Sequence, residues 1–467
     1  MNDVLLINPP YFKKGGNIWK TVSCCMPPQG LAVLAASIEQ HGLSVKILDT
    51  YAEQLAVDDI EEHLKKNYEP PRFIGLTAST VNVNHAYEVS RICKKLWPDT
   101  KIIFGGVHAS SKPEEPLKNK VAEVVIRGEA EYPFVDFIKG RSLPEIKGLT
   151  YTNDQGIIVH NPEGPLVDLD TLPLPAYHLL PMKKYYPAVG SYKRLPVMSI
   201  VTSRGCPGKC TFCYQPFGKS LRQRSPRKIA DEIKYLVQNY GIKEICFYDD
   251  NFTTFKHKIR ELCNILLDEK VDVTWICFSR VDWTDIELLK LMKKSGCHQI
   301  LFGAESANQE ILNNIKKNIT PDKVRAAVKA AKEAGIDCRV TFLFGSPGET
   351  EETMKQTIDF ALELDPDIAL FNIVSPNPGT QLYDWAVKNN YLSTKQWDEY
   401  DWGEVILNLP TVSPEKVKEY YKLAFRKFYL RPRYILRRLL KIRTLNDAVT
   451  IMYGIKGVFN VVKSRLV

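Results

Sequence analysis

The chain has 467 residues, 44% of them hydrophobic and 25% charged, with a formal charge of +9. Those fractions lie near the globular average of roughly 45–50% apolar and about 25% charged, which excludes a collagen-like, disordered or disulfide-scaffold chain. Residues 421–467 hold twelve Lys or Arg against one acid, Asp447, so this tail carries +11 and the other 420 residues sum to −2. Length alone allows about three domains, or two with an appendage. No run approaches the roughly 18–20 apolar residues of a membrane span. The first ten residues have no basic n-region and only a short apolar stretch, so no export signal is expected. The eleven cysteines are then expected to stay reduced in a cytosolic setting, as core thiols or metal ligands.

Through the first third, short β-branched runs alternate with helical patterns. Strands are predicted over 4–7, 45–50, 73–78, 101–106 and 124–128, and helices over 30–41, 58–66, 84–96 and 131–139. Continuous apolar strands separated by helices imply a parallel sheet covered on both faces. A five-strand doubly wound domain over residues 1–140 follows. Such sheets bind ligands beyond the carboxyl ends of their strands. Those ends read Asn8-Pro9-Pro10-Tyr11, Thr77-Ala78-Ser79-Thr80, Gly105-Gly106-Val107-His108 and Gly128-Glu129-Ala130-Glu131. Glycines there let the backbone approach a flat or bulky ligand; ordinary strand-to-helix turn chemistry is the competing reading. No G-x-G-x-x-G follows the first strand, which argues against a dinucleotide.

Residues 148–160 read as a hairpin turning at 153–156. Prolines at 162, 165, 173, 175, 181, 187 and 196 predict an irregular connector, and residues 141–195 are assigned to it. Between 196 and 410, βα units resume, with strands predicted over 197–202, 244–248, 273–278, 299–303, 339–344 and 368–374. Ser225-Pro226 and Thr320-Pro321 each place an N-cap residue before a first-turn proline. Gly241, Gly296 and Gly335 sit just past helix ends. Six such units make an open or partial barrel whose functional edge is the C-terminal ends of its strands.

At the end of the first of these strands stands Ser203-Arg204-Gly205-Cys206-Pro207-Gly208-Lys209-Cys210-Thr211-Phe212-Cys213-Tyr214, a C-x3-C-x2-C motif in a Gly-rich loop. Three thiolates so spaced can converge on one inorganic centre, and thiolates are the usual ligands of iron–sulfur clusters. A closed zinc site normally takes a fourth protein ligand, and no Cys or His follows until Cys246. A cluster with one open iron, a zinc knuckle and three core thiols are the readings the spacing leaves open.

The motif, with aromatic Phe212 just before the third cysteine, resembles the signature of the radical S-adenosylmethionine (SAM) superfamily, and the likeness spans residues 195–410. It implies that Cys206, Cys210 and Cys213 hold a [4Fe–4S] cluster. By the same resemblance, Phe212 borders SAM, and Tyr248, Asp249, Asp250 and Asn251 form the stretch that binds its amino group. Ser279 and Arg280 give the polar contact after the third strand, and Glu305 lies near the ribose and methionine. Phe344 and Gly345 open the fifth-strand motif beside the adenine. Pro376-Asn377-Pro378-Gly379-Thr380 resembles a closing turn of the subgroup. Helix capping is the competing role for Asp249, Asp250 and Glu305.

The order of doubly wound domain, proline-rich connector and this barrel is similar to the cobalamin-binding radical SAM proteins. The subgroup with the anaerobic magnesium-protoporphyrin monomethyl ester cyclase and the hopanoid methylases is the nearest in pattern. The resemblance implies that Asn8, Pro9, Thr77, Ser79, Gly105, Gly106, His108, Gly128 and Glu129 surround the corrin. No D-x-H-x-x-G motif occurs, so the lower axial ligand is undefined. His108 is read as a helix cap in preference to a ligand, and a vestigial, empty sheet is the competing reading for the domain.

The implied activity is that of a cobalamin-dependent radical SAM C-methyltransferase. The reduced cluster cleaves SAM to a 5′-deoxyadenosyl radical, which takes hydrogen from an unactivated carbon of a small-molecule or lipid substrate. Methylcobalamin then supplies the methyl group, and flavodoxin or ferredoxin supplies electrons. No catalytic side chain is assigned beyond the cluster ligands, and Cys24, Cys25, Cys93, Cys246, Cys263, Cys277, Cys297 and Cys338 are assigned to packing. The alternatives are a porphyrin-type oxidative cyclase, a tRNA or protein methylthiotransferase, and a non-catalytic cobalamin- or metal-binding module. No small basic β-barrel or N-terminal three-cysteine set supports the methylthiotransferase, and the array of matched strand ends argues against the module. A basic helical region is predicted over 411–467. Its residues 431–443 can lie on an anionic membrane, bind nucleic acid or pack on the barrel. Nucleic acid is not expected; a cytoplasmic protein, with peripheral contact at the inner membrane face, is.

Overall fold

The structure is a computed structural model that describes residues 3–11, 24–188, 190–400, 403–440 and 452. The apolar strands β1 (Val4–Asn8), β2 (Val45–Asp49), β3 (Phe73–Thr77), β4 (Lys101–Gly105) and β5 (Val124–Ile126) pair in parallel, in the order β2-β1-β3-β4-β5. The helices α1 (Gln29–Glu39), α2 (Ile60–Asn67), α3 (Val83–Leu96), α4 (Gly106–Ser111), α5 (Glu114–Lys118) and α6 (Glu131–Ile138) connect and cover them. Strand residues alternate between the faces. Leu6, Ile103 and Ile126 pack with α1 and α6, while Leu5, Ile74 and Phe104 pack with α2 and α3. This is the doubly wound arrangement expected, with its order reversing at β1 and β3.

The hairpin expected in the connector, β6 (Leu149–Thr152) and β7 (Ile158–His160), pairs antiparallel with β5 and extends the sheet to seven strands. The reason is the free edge of β5, whose unpaired N–H and C=O groups the hairpin satisfies. The rest of the connector ties the two sheets together. Cys25 and Tyr186 exchange backbone hydrogen bonds of 2.8 Å, the Tyr185 hydroxyl donates to Asp49 at 3.0 Å, and buried Tyr177 donates to Glu232.

The second sheet is built from β8 (Val197–Ile200), the short pair β9 (Ser203–Arg204) and β10 (Arg222–Gln223), and then β11 (Glu244–Phe247), β12 (Thr274–Ser279), β13 (Cys297–Glu305), β14 (Asp337–Phe344) and β15 (Ile368–Ile373). β8-β11-β12-β13-β14-β15 run parallel, in sequence order, with β9 and β10 as a separate antiparallel pair. The helices α7 (Pro226–Tyr240), α8 (Lys256–Asp268), α9 (Ile286–Lys294), α10 (Gln309–Asn314), α11 (Pro321–Glu333), α12 (Glu351–Leu364) and α13 (Gln381–Lys388) complete six βα units, the partial barrel expected. Thr320 caps α11 by accepting from the Lys323 amide. Ser225 does not cap α7 through its hydroxyl; instead its amide donates to Asp170 at 2.8 Å. Gly241 ends α7 at φ 64°, the left-handed geometry that glycine takes freely.

α14 (Pro414–Tyr429) lays Val417, Tyr421, Ala424 and Phe428 against α12 and β15. α15 (Pro432–Leu440) follows, anchored by Tyr434, whose hydroxyl donates to the Asp367 carbonyl at 3.0 Å. The start of the basic region therefore packs on the barrel. Its remainder, residues 441–467 except Met452, lies outside the described residues.

Candidate active site

The cysteine loop leaves the barrel between β9 and β10. All eleven cysteines are free, but their surroundings differ. Cys25, Cys93, Cys246, Cys263, Cys277, Cys297 and Cys338 are buried, as packing requires, whereas Cys206 and Cys210 are partly buried and Cys213 is exposed. Partial burial raises the Cys206 thiol above its ordinary value, with Asp250 and Cys210 adding to the rise and Arg280 opposing it. A thiol so placed ionises best when a metal takes the electron pair. Arg280 reaches 3.9 Å from the Cys210 sulfur. It is held there by Asp282, at 3.0 and 3.1 Å, and by the Lys317 carbonyl at 2.8 Å. Among the described residues, no three His, Cys, Asp or Glu side chains converge tightly enough for a single ion. A cubane cluster spreads its thiolates over separate irons, so the loop's donor set, backed by a fixed cation, fits the cluster.

The residues expected around SAM divide. Asn251 accepts from the Arg280 amide at 3.4 Å and has a buried side-chain nitrogen without a partner among the described residues. Ser279 pairs its hydroxyl with Thr253 beneath Arg280. Glu305, at φ 65°, forms a buried ion pair with Lys317 at 2.7 Å. A β-carbon on Gly303 would stand 2.4 Å from the Glu305 carboxylate and 2.6 Å from the Lys317 ammonium, so any larger residue would make the pair shift. Past β14, buried Ser346 and Glu349 each keep an oxygen without a partner among the described residues, and burial lifts Glu349 to about 8. Unpaired buried polar atoms at these strand ends fit a polar cofactor.

Two of these residues, Asp249 and Phe344, are committed elsewhere in the fold. Asp249 is fully buried and accepts from the amides and hydroxyls of Thr202 and Ser203, so it anchors the start of the cysteine loop. Burial lifts it to about 6 against those bonds. Phe344 faces away from the site and stacks on Phe371, 6.0 Å between ring centres, because strand alternation turns it toward the helices. Phe212 is half-buried and packs against the main core. Tyr248, 41% exposed, meets Phe278 edge-on at 5.2 Å and lines a large cavity between the two sheets. Asp250 is exposed beside the thiols, and Gly345 takes φ 80° next to Val417.

A cavity of about 1150 Å³ runs from the carboxyl ends of β1, β3, β4 and β5 into the barrel. Of the residues expected around a corrin, Asn8, Thr77, Gly105, Gly106, Gly128 and Glu129 line it. Pro9, Ser79 and His108 do not. Pro9 is buried, and Ser79 is hydrogen-bonded at 2.8 Å to Asn82. His108 is buried with its ring nitrogens 3.1 Å from Thr80 and 3.2 Å from Glu115, edge-on to Trp397. Both nitrogens are engaged within the fold, which removes it as an axial ligand. Gly106 sits at φ 89°, where a β-carbon would come within 2.6 Å of Thr77 and 2.8 Å of the Ala78 backbone. Gly75, within β3, also lines the cavity, where a β-carbon would meet Leu6 at 2.7 Å and Phe134 at 3.0 Å. Backbone exposed along the cavity floor fits a bulky, flat ligand.

Lys317, Arg339 and the pairing of the strand-end carboxylates escaped sequence reasoning. Lys317 follows a helix with no motif to mark it. Glu129 is bonded to Arg222 and to the Val167 amide, and Glu131 to Arg204, so a buried charge network joins the first sheet to the cysteine loop. Its partners stand 73 and 93 residues apart. Arg339 had a readable signal, a lone cation in the apolar run Cys338–Phe344.

Comparison with known proteins agrees with this geometry. A family profile for the B12 binding domain matches residues 18–138, and one for the Radical SAM superfamily matches residues 200–361. An uncharacterized methyltransferase of Pyrococcus horikoshii is 36% identical over 93% of this chain and 94% of its own. The anaerobic magnesium-protoporphyrin IX monomethyl ester cyclase of Rubrivivax gelatinosus is 27% identical over 81% of this chain and 69% of its own. The solved radical S-adenosylmethionine methyltransferase of Kitasatospora setae, with cobalamin and a [4Fe–4S] cluster bound, aligns with a TM-score of 0.67 at 21% identity, covering 83% of this chain and 75% of that one. No helix of the described residues is long and apolar enough to cross a membrane. With both domain types in the expected order and a relative matching nearly end to end, the chain belongs to the cobalamin-binding radical SAM methyltransferase family.

Proposed function

We propose that this enzyme methylates an unactivated carbon of a small molecule that enters the barrel-side half of the cavity. The observation that carries the reading is the continuity of that cavity. Its glycine-lined floor at β3 and β4 opens into the same space as Tyr248, Arg339 and Asn372 of the barrel. Cys206, Cys210 and Cys213 would hold the cluster, and the polar atoms of Asn251, Ser346 and Glu349 left unpaired among the described residues would meet SAM. Gly75, Gly105, Gly106 and Gly128, which line the cavity, would leave room for the corrin. The bound groups supply the hard steps: hydrogen abstraction by SAM activated at the cluster, and methyl donation by cobalamin. The protein supplies placement. Asp249 fixes the start of the cysteine loop, Arg280 holds positive charge beside the thiolates, and the Glu129–Arg222 and Glu131–Arg204 pairs hold the corrin-side edge against that loop. Apolar Leu34, Phe217 and Leu370 line the space and exclude water.

The units are residues 1–160, counting the hairpin with the first sheet, a connector to 195, the barrel to 410 and the C-terminal helices. A small acidic electron carrier such as flavodoxin or ferredoxin serves the cluster in the cytoplasm. The test is anaerobic reconstitution of the full chain with iron, sulfide and hydroxocobalamin. A corrin spectrum that survives gel filtration, with S-adenosylhomocysteine released from SAM under reduction, is expected; protein eluting free of corrin overturns the reading.

Peripheral membrane docking belongs to α15. Arg431 and Arg437 are tied to Asp365 at 2.9 and 2.6 Å, whereas Leu436, Leu439 and Leu440 are 59%, 50% and 75% exposed beside Arg433 and Arg438. Each basic residue near an anionic leaflet contributes about 1 kcal/mol. Salt-sensitive sedimentation with phosphatidylserine vesicles, weakened in a Leu436→Ser/Leu440→Ser variant, is expected; equal sedimentation of the two forms overturns it.

A further inference from the structure

β14 alternates in its burial. Cys338, Val340, Phe342 and Phe344 are buried toward the helices, while Arg339, Thr341 and Leu343 face the other way, into the barrel. Arg339 thereby lines the large cavity, beside Tyr248, Leu370 and Asn372. Among the described residues it makes no ion pair and no hydrogen bond, and its Nε is buried without a partner. The ionisable groups that act on it most strongly, Cys246, Tyr248, Tyr429 and Cys24, are thiols and phenols rather than carboxylates. Four other arginines near strand ends are paired with carboxylates: Arg204 with Glu131, Arg222 with Glu129, Arg224 with Glu232 and Arg280 with Asp282, while Arg127 past β5 donates to the Asn161 carbonyl.

An arginine stays protonated even when buried, and an uncompensated buried charge is costly. A fold that pairs those four guanidiniums with carboxylates and leaves this one facing a cavity has a place for an anion from outside. The planar fork of N–H donors matches a carboxylate or a phosphate. We propose that Arg339 binds the anionic head group, carboxylate or phosphate, of the substrate. The apolar lining at Met26, Leu34, Phe217 and Leu370 takes the rest of that molecule, so the substrate is an anion on an apolar body. This rests on the methyl-transfer reading for its name as a substrate site. The corrinoid's own phosphodiester is a second source of the same chemistry.

The experiment titrates the reconstituted full chain with octanoate and octyl phosphate, using octanol as the neutral control, for the wild type, Arg339→Met and Arg339→Lys. Hydroxocobalamin is titrated in parallel. The two anions should bind the wild type about tenfold or more tightly than octanol. Arg339→Met should erase that preference and Arg339→Lys keep part of it, with corrin affinity unchanged in both. Wild type indifferent to charge, or a preference that survives in Arg339→Met, overturns the proposal. So does a parallel loss of corrin affinity in Arg339→Met, which assigns the anion to the corrinoid. Circular dichroism and cluster absorption check the fold. If the Met variant fails to fold, Arg339→Lys decides, since losing the bidentate fork should weaken the anions alone. Corrin loss by the wild type breaks the methyl-transfer reading, while the anion comparison still reads Arg339 by itself.

Discussion

The two parallel sheets turn the carboxyl ends of their strands toward one another, yet equip those ends in opposite ways. The edge of the first sheet is shaped by what is missing: Gly75, Gly105, Gly106 and Gly128 withhold β-carbons along the cavity, and its carboxylates, Glu129 and Glu131, are neutralised by arginines of the second unit. The barrel edge is shaped by what is present. It carries three free thiols, the Arg280 guanidinium and the buried Glu305–Lys317 pair. One edge accommodates its ligand by contour, the other by charge and coordination. The lesson is that a contour site tolerates many side-chain changes but few backbone ones, whereas a charge site fails when one partner is lost.

The largest effect expected is at the thiols. Cys210→Ala should abolish iron incorporation, read as iron and sulfide content and visible absorption, while hydroxocobalamin is still retained. Retention of a full cluster would break the contrast between the edges. Next is Lys317→Met, which strands the Glu305 carboxylate in a buried setting. A cost of about 3–5 kcal/mol is expected in urea unfolding, mostly recovered when Glu305→Gln is added. A cost below 1 kcal/mol, on the order of an exposed pair, would show that charge is not what organises this edge.

Glu349 sharpens the same point through pH. Its folded value is raised to about 8 by burial, above the ordinary value of 4.5. The folded state therefore holds a proton that the unfolded chain releases first, and stability from this group is full below 4.5 and lost as pH rises through 8. The difference in unfolding midpoint between wild type and Glu349→Gln should shift in the variant's favour from pH 5 to pH 8; a difference independent of pH refutes the assignment. On the other edge, Gly106→Ala should cost about 1–3 kcal/mol and weaken corrin retention, because backbone blocks its β-carbon. Gly30→Ala, which meets nothing within 4 Å, should be neutral or stabilising by up to about 1 kcal/mol.

Much of this was legible in order along the chain. The hydrophobic pattern of each strand located both sheets, because period and turn chemistry are local. The thiol motif was legible because its three donors lie within eight residues, Cys206 to Cys213. Motif likeness misjudged Asp249 and Phe344 for one shared reason. Being at a strand end does not say which way a side chain turns, and one step along a strand sends it to the opposite face. The corrin-side list placed six of nine residues on the cavity. His108 was lost to Thr80 and Glu115, partners that no spacing rule connects to it.

By itself the sequence determined the secondary structure, the order of the two sheets and the chemistry of the cysteine loop, since each depends on residues close together in the chain. Tertiary structure decided the rest. It set Glu129 against Arg222 and Glu131 against Arg204, gave Glu305 its partner in Lys317, and left Arg339 without one among the described residues. Pairing and its absence depend on which distant side chains share a desolvated volume, and only folding the chain brings that volume into being.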